Sequence, residues 1–216
     1  MSEEADAVAR AALAMHLRAM NAASRPVLAA LESVPRALFI DKAHRDLAYE
    51  DRAVPIACGQ TVSQPTVVAM MTEALGLTPD SAVLEIGTGS GYQCAVLSRL
   101  AREVTSVERY RHLSALAAER LTVLGATNVR FVVGDGNDGV DEHAPYDAII
   151  VTAATPAVPQ ALVDQLVKGG RIVAPIGPTD GVQDLMVCTK DAGELAGHVL
   201  APVRFVPLLP GVAEAL

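Results

Sequence analysis

Three carboxylates and one hydroxyl stand where they could handle a small polar ligand. Glu85 opens the stretch Glu85-Ile86-Gly87-Thr88-Gly89-Ser90-Gly91, in which glycine recurs at every second position. Glu108 closes "EVTSVE", Asp135 stands in "VGDG", and Ser63 lies in "GQTVSQP". Glycine lets a backbone approach a ligand closely, and a carboxylate at a strand end can accept both hydroxyls of a ribose. Glu108 follows Gly87 by about 20 residues, the separation that brings the end of a second strand beside such a loop. Asp135, ending a third strand, could accept from an adenine amino group. The chemistry in view is the binding of a nucleoside-bearing cofactor.

Several ligand classes compete for the loop. A nucleotide-hydrolase phosphate loop needs a lysine after its last glycine, and none follows here. A dinucleotide site reads GxGxxG or GxGxxA; Tyr92 occupies the third position, where a small residue must pack helix on strand. A site for S-adenosylmethionine reads acid, apolar residue, GxGxG, and residues 85–91 fit it without a gap. A tight turn with no ligand would need three acids at three strand ends by coincidence. An NAD-dependent dehydrogenase stays as an alternative of another class, against which stand Tyr92 and the lack of an evident proton-relay histidine.

Other chemistries lack their residues. The three cysteines (Cys58, Cys94, Cys188) and five histidines have no metal-ligand spacing, so no metal is expected. The segment "YDAIIV" runs into "TAATPAVP", without the Asn- or Asp-Pro-Pro-aromatic motif of nucleobase-amine methyltransferases. No Cys or His stands out as nucleophile or base. That suits a carboxylate acceptor, which with a reference pKa of ~4 is ionised at neutral pH and needs no base. The net charge of −8 and scattered arginines argue against nucleic acid.

The elements that must position these groups are legible in outline. The 216 residues are 51% hydrophobic, enough for a sizeable core, but only 3% aromatic, so Ala, Val, Leu and Ile must fill it. Residues 3–20 are Ala-rich and helical. "SRPVLAALESV" and "SQPTVVAMMTEALGLTP" each place a serine, Ser24 or Ser63, at a helix N-cap with proline in the first turn. Gly76 marks the end of the second. From residue 81 the pattern changes. "SAVLEI", "EVTSVE", "VRFVV", "YDAIIV" and "GRIVAPI" read as buried strands. Helices are expected over 91–101, 110–124 and "VPQALVDQLV". On 110–124 the residues Leu113, Leu116, Ala117, Leu121 and Leu124 share a face, and Gly125 stops the helix. "DLMVCT" and "VLAPVRFV", separated by the turn-like "KDAGELAGH", suggest an antiparallel pair. The fold expected is α/β: a Rossmann-like, doubly wound, mostly parallel sheet with an N-terminal helical extension. No apolar run approaches ~18 uncharged residues, and the acidic start is no secretory signal, so no membrane span and a cytoplasmic protein are expected.

The sequence resembles the protein-L-isoaspartate (D-aspartate) O-methyltransferase family. "VPRALFID", "YEDRAVPI", "GQTVSQP", "VLEIGTGSGYQ", "SVER", "VGDG", "PYDAIIVTAA", "VPQALVDQLVKGGRIVAPIG" and "VRFVPLLPG" carry the resemblance in family order over 34–211. It implies a single methyltransferase domain over 1–216, with 1–80 on the substrate side and 81–216 holding the cofactor. It implies methyl transfer from S-adenosylmethionine to the α-carboxyl of L-isoaspartyl residues in damaged proteins and peptides, leaving S-adenosylhomocysteine. The ester would then close to a succinimide on the way back to aspartate. Ser63 is implied as the active-site residue, with Thr61 and Val62 shaping the acceptor pocket. Glu85, Gly87, Thr88, Gly89, Ser90 and Gly91 are implied on the cofactor, with Glu108, Arg109, Asp135 and Gly136. The sequence departs from the family at Ala57, where glycine is usual, at Asn137-Asp138 and at Thr155. A relative that tailors an aspartate in one dedicated peptide is the near alternative; oligomeric state is not legible.

Overall fold

The computed structural model describes residues 3–213. Two helices come first, α1 (Glu3–Ala19) and α2 (Arg25–Ser33). After two 3-10 turns, the two-residue strands β1 (Val54–Pro55) and β2 (Thr61–Val62) pair antiparallel, with Val54 opposite Val62. Helix α3 (Pro65–Leu75) follows and stops at Gly76, whose φ of 64° is the left-handed cap glycine tolerates. Leu13, Leu17, Leu28 and Leu31 are buried in one cluster with Val83, Val104 and Val173, so the helical extension shares the sheet's core.

The N-caps differ from expectation. Ser24 holds its cap position, but its side chain makes no capping bond; its backbone N–H donates instead to Glu73 on α3, at 2.8 Å. Ser63 is not a cap. Gln64 takes that position, and its side chain makes no capping bond. The start of α3 is held by Asp51, which accepts from the Thr66 N–H at 2.8 Å, the Thr66 hydroxyl at 2.6 Å and the Gln64 amide at 3.1 Å. Burial pushes the Asp51 carboxyl up, but the bonds from Thr66 and Gln64 outweigh it and leave its pKa below the usual range.

The α/β unit runs β3 (Ala82–Ile86), α4 (Tyr92–Leu97), β4 (Glu103–Glu108), α5 (Arg111–Val123), β5 (Val129–Val133), β6 (Tyr146–Val151), α6 (Gln160–Asp164), β7 (Leu166–Ile176), β8 (Gln183–Asp191) and β9 (Glu194–Val203). The sheet order is β5-β4-β3-β6-β7-β8-β9. The first five strands are parallel; β8 and β9 add antiparallel. Strand β3 is buried at all five positions, as a central strand covered on both faces must be. On α5, Leu113, Ala117 and Leu121 are buried while Leu116 and Leu124 are half-buried. Three boundaries differ. Helix α4 ends at Leu97, and α6 has five residues because Leu166 already pairs with Tyr146 at the start of β7. The polar "KDAGELAGH" is mostly strand, turning at Ala192-Gly193 between Asp191 and its partner Glu194. Among the described residues no helix is long and apolar enough to cross a membrane.

Candidate functional site

The chain crosses from β3 to β4 on one side and places β6 on the other. That reversal of strand order opens a crevice at the carboxyl ends of the strands, where an open α/β sheet takes its ligands. A cleft of about 890 Å³, its open mouth included, occupies the place. Gly87, Thr88, Gly89 and Ser90 line it, with Glu108, Arg109 and Gly136. Gly87 has φ 94°, and a Cβ there would collide with the Thr152 hydroxyl, which donates to the Gly87 carbonyl at 2.7 Å. The loop is thus pressed against the end of β6. Gly89 faces open space: the one atom near a Cβ there is Ile56 Cδ1, at 3.9 Å.

Glu85 does not line the cleft. It is fully buried behind the loop, where the Ser106 hydroxyl donates to one of its oxygens and the other has no partner. Ser106 also bonds the Thr88 hydroxyl, at 2.6 Å. Burial pushes the Glu85 carboxyl up to about 8, against a smaller lowering from the Ser106 bond. It is therefore uncharged at neutral pH, and its place is to support the loop through Ser106 and Thr88. Gly91 is likewise a packing residue: with φ 89°, its Cβ would lie 2.9 Å from that of Ala117 on α5.

Glu108 is at the cleft wall and 6% exposed. It accepts from the Gly89 N–H at 2.8 Å and the Tyr110 N–H at 3.0 Å, tying the glycine loop to the end of β4. Burial raises its pKa, and those N–H bonds oppose the rise. Asp135, expected to face an adenine, instead accepts from the Gly211 N–H at 2.5 Å and twice from Asn137 at 2.8 Å. Burial raises its carboxyl, but these bonds prevail and hold it below the usual range. Arg109 lines the cleft and also donates to the Gly211 and Pro210 carbonyls at 3.2 and 3.3 Å. Asp135 and Arg109 together moor residues 205–211, whose Phe205–Leu209 stretch forms one side of the cleft. Asn137, a departure from the family pattern, orients the Asp135 carboxylate.

Thr61, Val62 and Ser63 line the cleft opposite the glycine loop. A second cavity begins there, lined by Ala53, Gln64, Val67, Val182 and Arg204, and it shares Thr61, Ser63 and Phe205 with the first. Ser63 thus stands where the two meet. Its hydroxyl makes no bond among the described residues; its carbonyl accepts from Arg36 at 3.0 Å. Gln60, Tyr110, Thr152 and Phe205–Leu209 also line the cleft. Gln60, Thr152 and the last stretch lay inside the segments "GQTVSQP", "PYDAIIVTAA" and "VRFVPLLPG"; nothing marked Tyr110.

These residues fit a nucleoside cofactor. Glu108 presents a carboxylate that could accept from ribose hydroxyls, the Gly87–Ser90 backbone forms one wall, and Gly136, where a Cβ would strike Ile86, is packed closely at the lining. Among the described residues no group of three His, Cys, Asp or Glu side chains could hold a metal.

A reversed-order parallel sheet with this loop and carboxylate defines the class of S-adenosylmethionine-dependent methyltransferases. The comparisons with known proteins narrow the class. Residues 9–213 match the profile of protein-L-isoaspartate (D-aspartate) O-methyltransferases, and the chain belongs to that family. It is 55% identical to the protein-L-isoaspartate O-methyltransferase of Azorhizobium caulinodans over 213 residues, covering 99% of this chain and 98% of that one. The protein of the same name from Methanoculleus marisnigri is 51% identical, covering 89% and 87%. A solved protein-L-isoaspartate O-methyltransferase superposes with a TM-score of 0.86 at 33% identity, over 94% of this chain and 67% of that one. A Plasmodium falciparum structure named for the same activity and holding S-adenosyl-L-homocysteine gives 0.81 at 26% identity, covering 92% and 97%.

Proposed function

We propose that this chain methylates the α-carboxyl of L-isoaspartyl residues in damaged proteins and peptides, using S-adenosylmethionine, and so starts their return to aspartate through a succinimide. One observation carries the choice of acceptor. Where the two cavities meet there is a serine hydroxyl with no partner among the described residues; no His, Lys or Cys lines either one, and the one carboxylate on the walls, Glu108, is engaged by the Gly89 and Tyr110 N–H groups. An alcohol or amine acceptor would need a proton taken away. A carboxylate arrives ionised.

When bound, S-adenosylmethionine supplies a methyl group made electrophilic by its sulfonium. Glu108, Arg109, Gly136 and the Gly87–Ser90 backbone would hold it, with Asp135 and Gly91 supporting them from behind. The Ser63 hydroxyl donates to the acceptor carboxylate and sets its angle of approach; Thr61 and Val62 wall the same place. Closing the acceptor between these walls strips its water, which is the main thing an ionised nucleophile needs. Proteins and peptides suit the second cavity better than nucleic acid, since Arg204 is the one cation on its wall. The free thiols Cys58, Cys94 and Cys188 fit a reducing cytoplasm.

The test is a methyl-transfer assay on matched isoaspartyl, aspartyl and D-aspartyl peptides with wild type and Ser63→Ala. Transfer to the isoaspartyl peptide is expected, with a loss in Ser63→Ala of about ten- to a hundredfold in kcat/KM and cofactor affinity close to wild type. Equal transfer to all three peptides, or full activity in Ser63→Ala, would refute the reading.

A further inference from the structure

Arg36 lies in the 3-10 turn at 36–39 and is fully buried. Among the described residues no carboxylate lies within ion-pair distance of it. A buried cation without a counter-charge is costly unless hydrogen bonds replace its water. Here three carbonyls take the two Nη groups, while Nε has no partner among the described residues. Nη1 donates to Ala48 at 2.6 Å, and Nη2 donates to Arg52 at 3.1 Å and to Ser63 at 3.0 Å. The guanidinium also lies 5.6 Å from the centre of the Tyr92 ring, which lines the cofactor cleft.

The Ala48 and Arg52 carbonyls lie in the one stretch between the second 3-10 turn and β1, and the Ser63 carbonyl lies between β2 and α3. The backbone on either side of Ser63 is held by the β1–β2 pairing and by Asp51 at the start of α3, and Arg36 bonds the Ser63 carbonyl itself. The Ser63 peptide has a free hydroxyl on one side and Arg36 on the other. Fixing that carbonyl fixes the backbone from which the hydroxyl projects. The same guanidinium spans from the acceptor side, at Ser63, to the cofactor side, at Tyr92.

We propose that Arg36 is the positioning residue of this site: its fork of donors holds the Ser63 peptide against the Tyr92 wall and so aims the Ser63 hydroxyl at the acceptor carboxylate. This rests on the reading of Ser63 given above. Lysine would keep the charge but present it as a point, without the planar fork that reaches several carbonyls at once.

A double-mutant cycle tests it. Wild type, Arg36→Lys, Ser63→Ala and the double variant are assayed for kcat/KM on an isoaspartyl peptide at saturating cofactor, each corrected for its folded fraction by thermal melting. Cofactor affinity is measured separately by calorimetry. Arg36→Lys is expected to lower kcat/KM by about ten- to a hundredfold and to leave cofactor affinity within about threefold. In the Ser63→Ala background the same change is expected to cost less than about threefold, because the group it aims is gone. An equal loss in both backgrounds overturns the proposal and leaves the Ser63 reading standing. Full activity in Arg36→Lys overturns it too. Full activity in Ser63→Ala removes both. Arg36→Gln serves if the lysine variant does not fold. If neither folds, the Arg36 guanidinium signals are followed by NMR in wild type and Ser63→Ala as isoaspartyl peptide is added. A shift in wild type that vanishes in Ser63→Ala is expected; no shift in wild type, or the same shift in both, overturns the proposal.

Discussion

Replacing Glu85 by glutamine should change how the ligand-free protein responds to pH. The folded protein holds the Glu85 carboxyl protonated up to about pH 8, because burial lifts it from an ordinary 4.5. The unfolded chain releases that proton near 4.5. Between those values the native state binds more protons than the unfolded one, so stability falls as pH rises through the window. From pH 5 to pH 7 the loss attributable to this group is about 2–3 kcal/mol. In Glu85→Gln nothing titrates there. Relative to wild type, the variant should gain about 2–3 kcal/mol across the same two pH units, or roughly 5–10 °C in Tm for a chain of this size. Any fixed cost of the amide against Ser106 or Cys94 is the same at each pH and cancels from the slope. The measurement is thermal unfolding of both proteins without cofactor at half-unit steps from pH 5 to 8. Parallel curves would show that Glu85 is ionised in the folded protein, and the account of it as a neutral support for the glycine loop would be wrong.

Three further outcomes are expected. Glu108→Ala removes the carboxylate offered to the ribose; losing a hydrogen bond to a charged group costs ~1.5–3 kcal/mol, so S-adenosylmethionine should bind roughly ten- to a hundredfold more weakly by calorimetry in a folded protein. Asp51→Ala deletes the cap of α3 and should cost about 0.5–2 kcal/mol at pH 7 in denaturant titration. Because the native Asp51 pKa is depressed, that difference should persist above the usual Asp range and shrink as pH falls below it. Single-turnover methyl transfer at saturating cofactor should be nearly flat from about pH 6 to 8, since the acceptor titrates near ~4; a tenfold rise per pH unit would reveal a base.

The sheet was legible because its strands are short segments at least half made of β-branched residues. "EVTSVE", "VRFVV" and "YDAIIV" match β4, β5 and β6 residue for residue. "VPQALVDQLV" misled because one apolar stretch contains a five-residue helix and the start of β7, and periodicity cannot divide so short a run. "KDAGELAGH" looked like a turn because β9 is a sheet edge, and its exposed positions are free to be polar. The cap of α3 was misplaced by one residue for a different reason. The group that does the capping, Asp51, lies 15 residues before the N–H it receives, beyond the reach of local grammar. At the site, the order of acids along the chain located the strand ends but could not say which carboxylates face the cleft. Glu85 turns inward to Ser106 and Asp135 turns to Gly211, partnerships set by strands and loops that meet only in three dimensions.

The wall formed by Thr61, Ser63 and Phe205 belongs to both cavities, and the Phe205 N–H is itself held by Gln183 at 2.9 Å. Under the reading proposed above, cofactor and acceptor would lie on either side of this shared wall. If an occupant of the first cavity presses or steadies Phe205, the second cavity is reshaped, and the free energy of that change is common to both. Reciprocity then applies: whatever factor the cofactor adds to the affinity for acceptor, the acceptor returns to the cofactor in equal measure. The same balance would extend to the spent forms, making the grip on the demethylated cofactor depend on whether an ester or an empty groove lies on the far side of the ring.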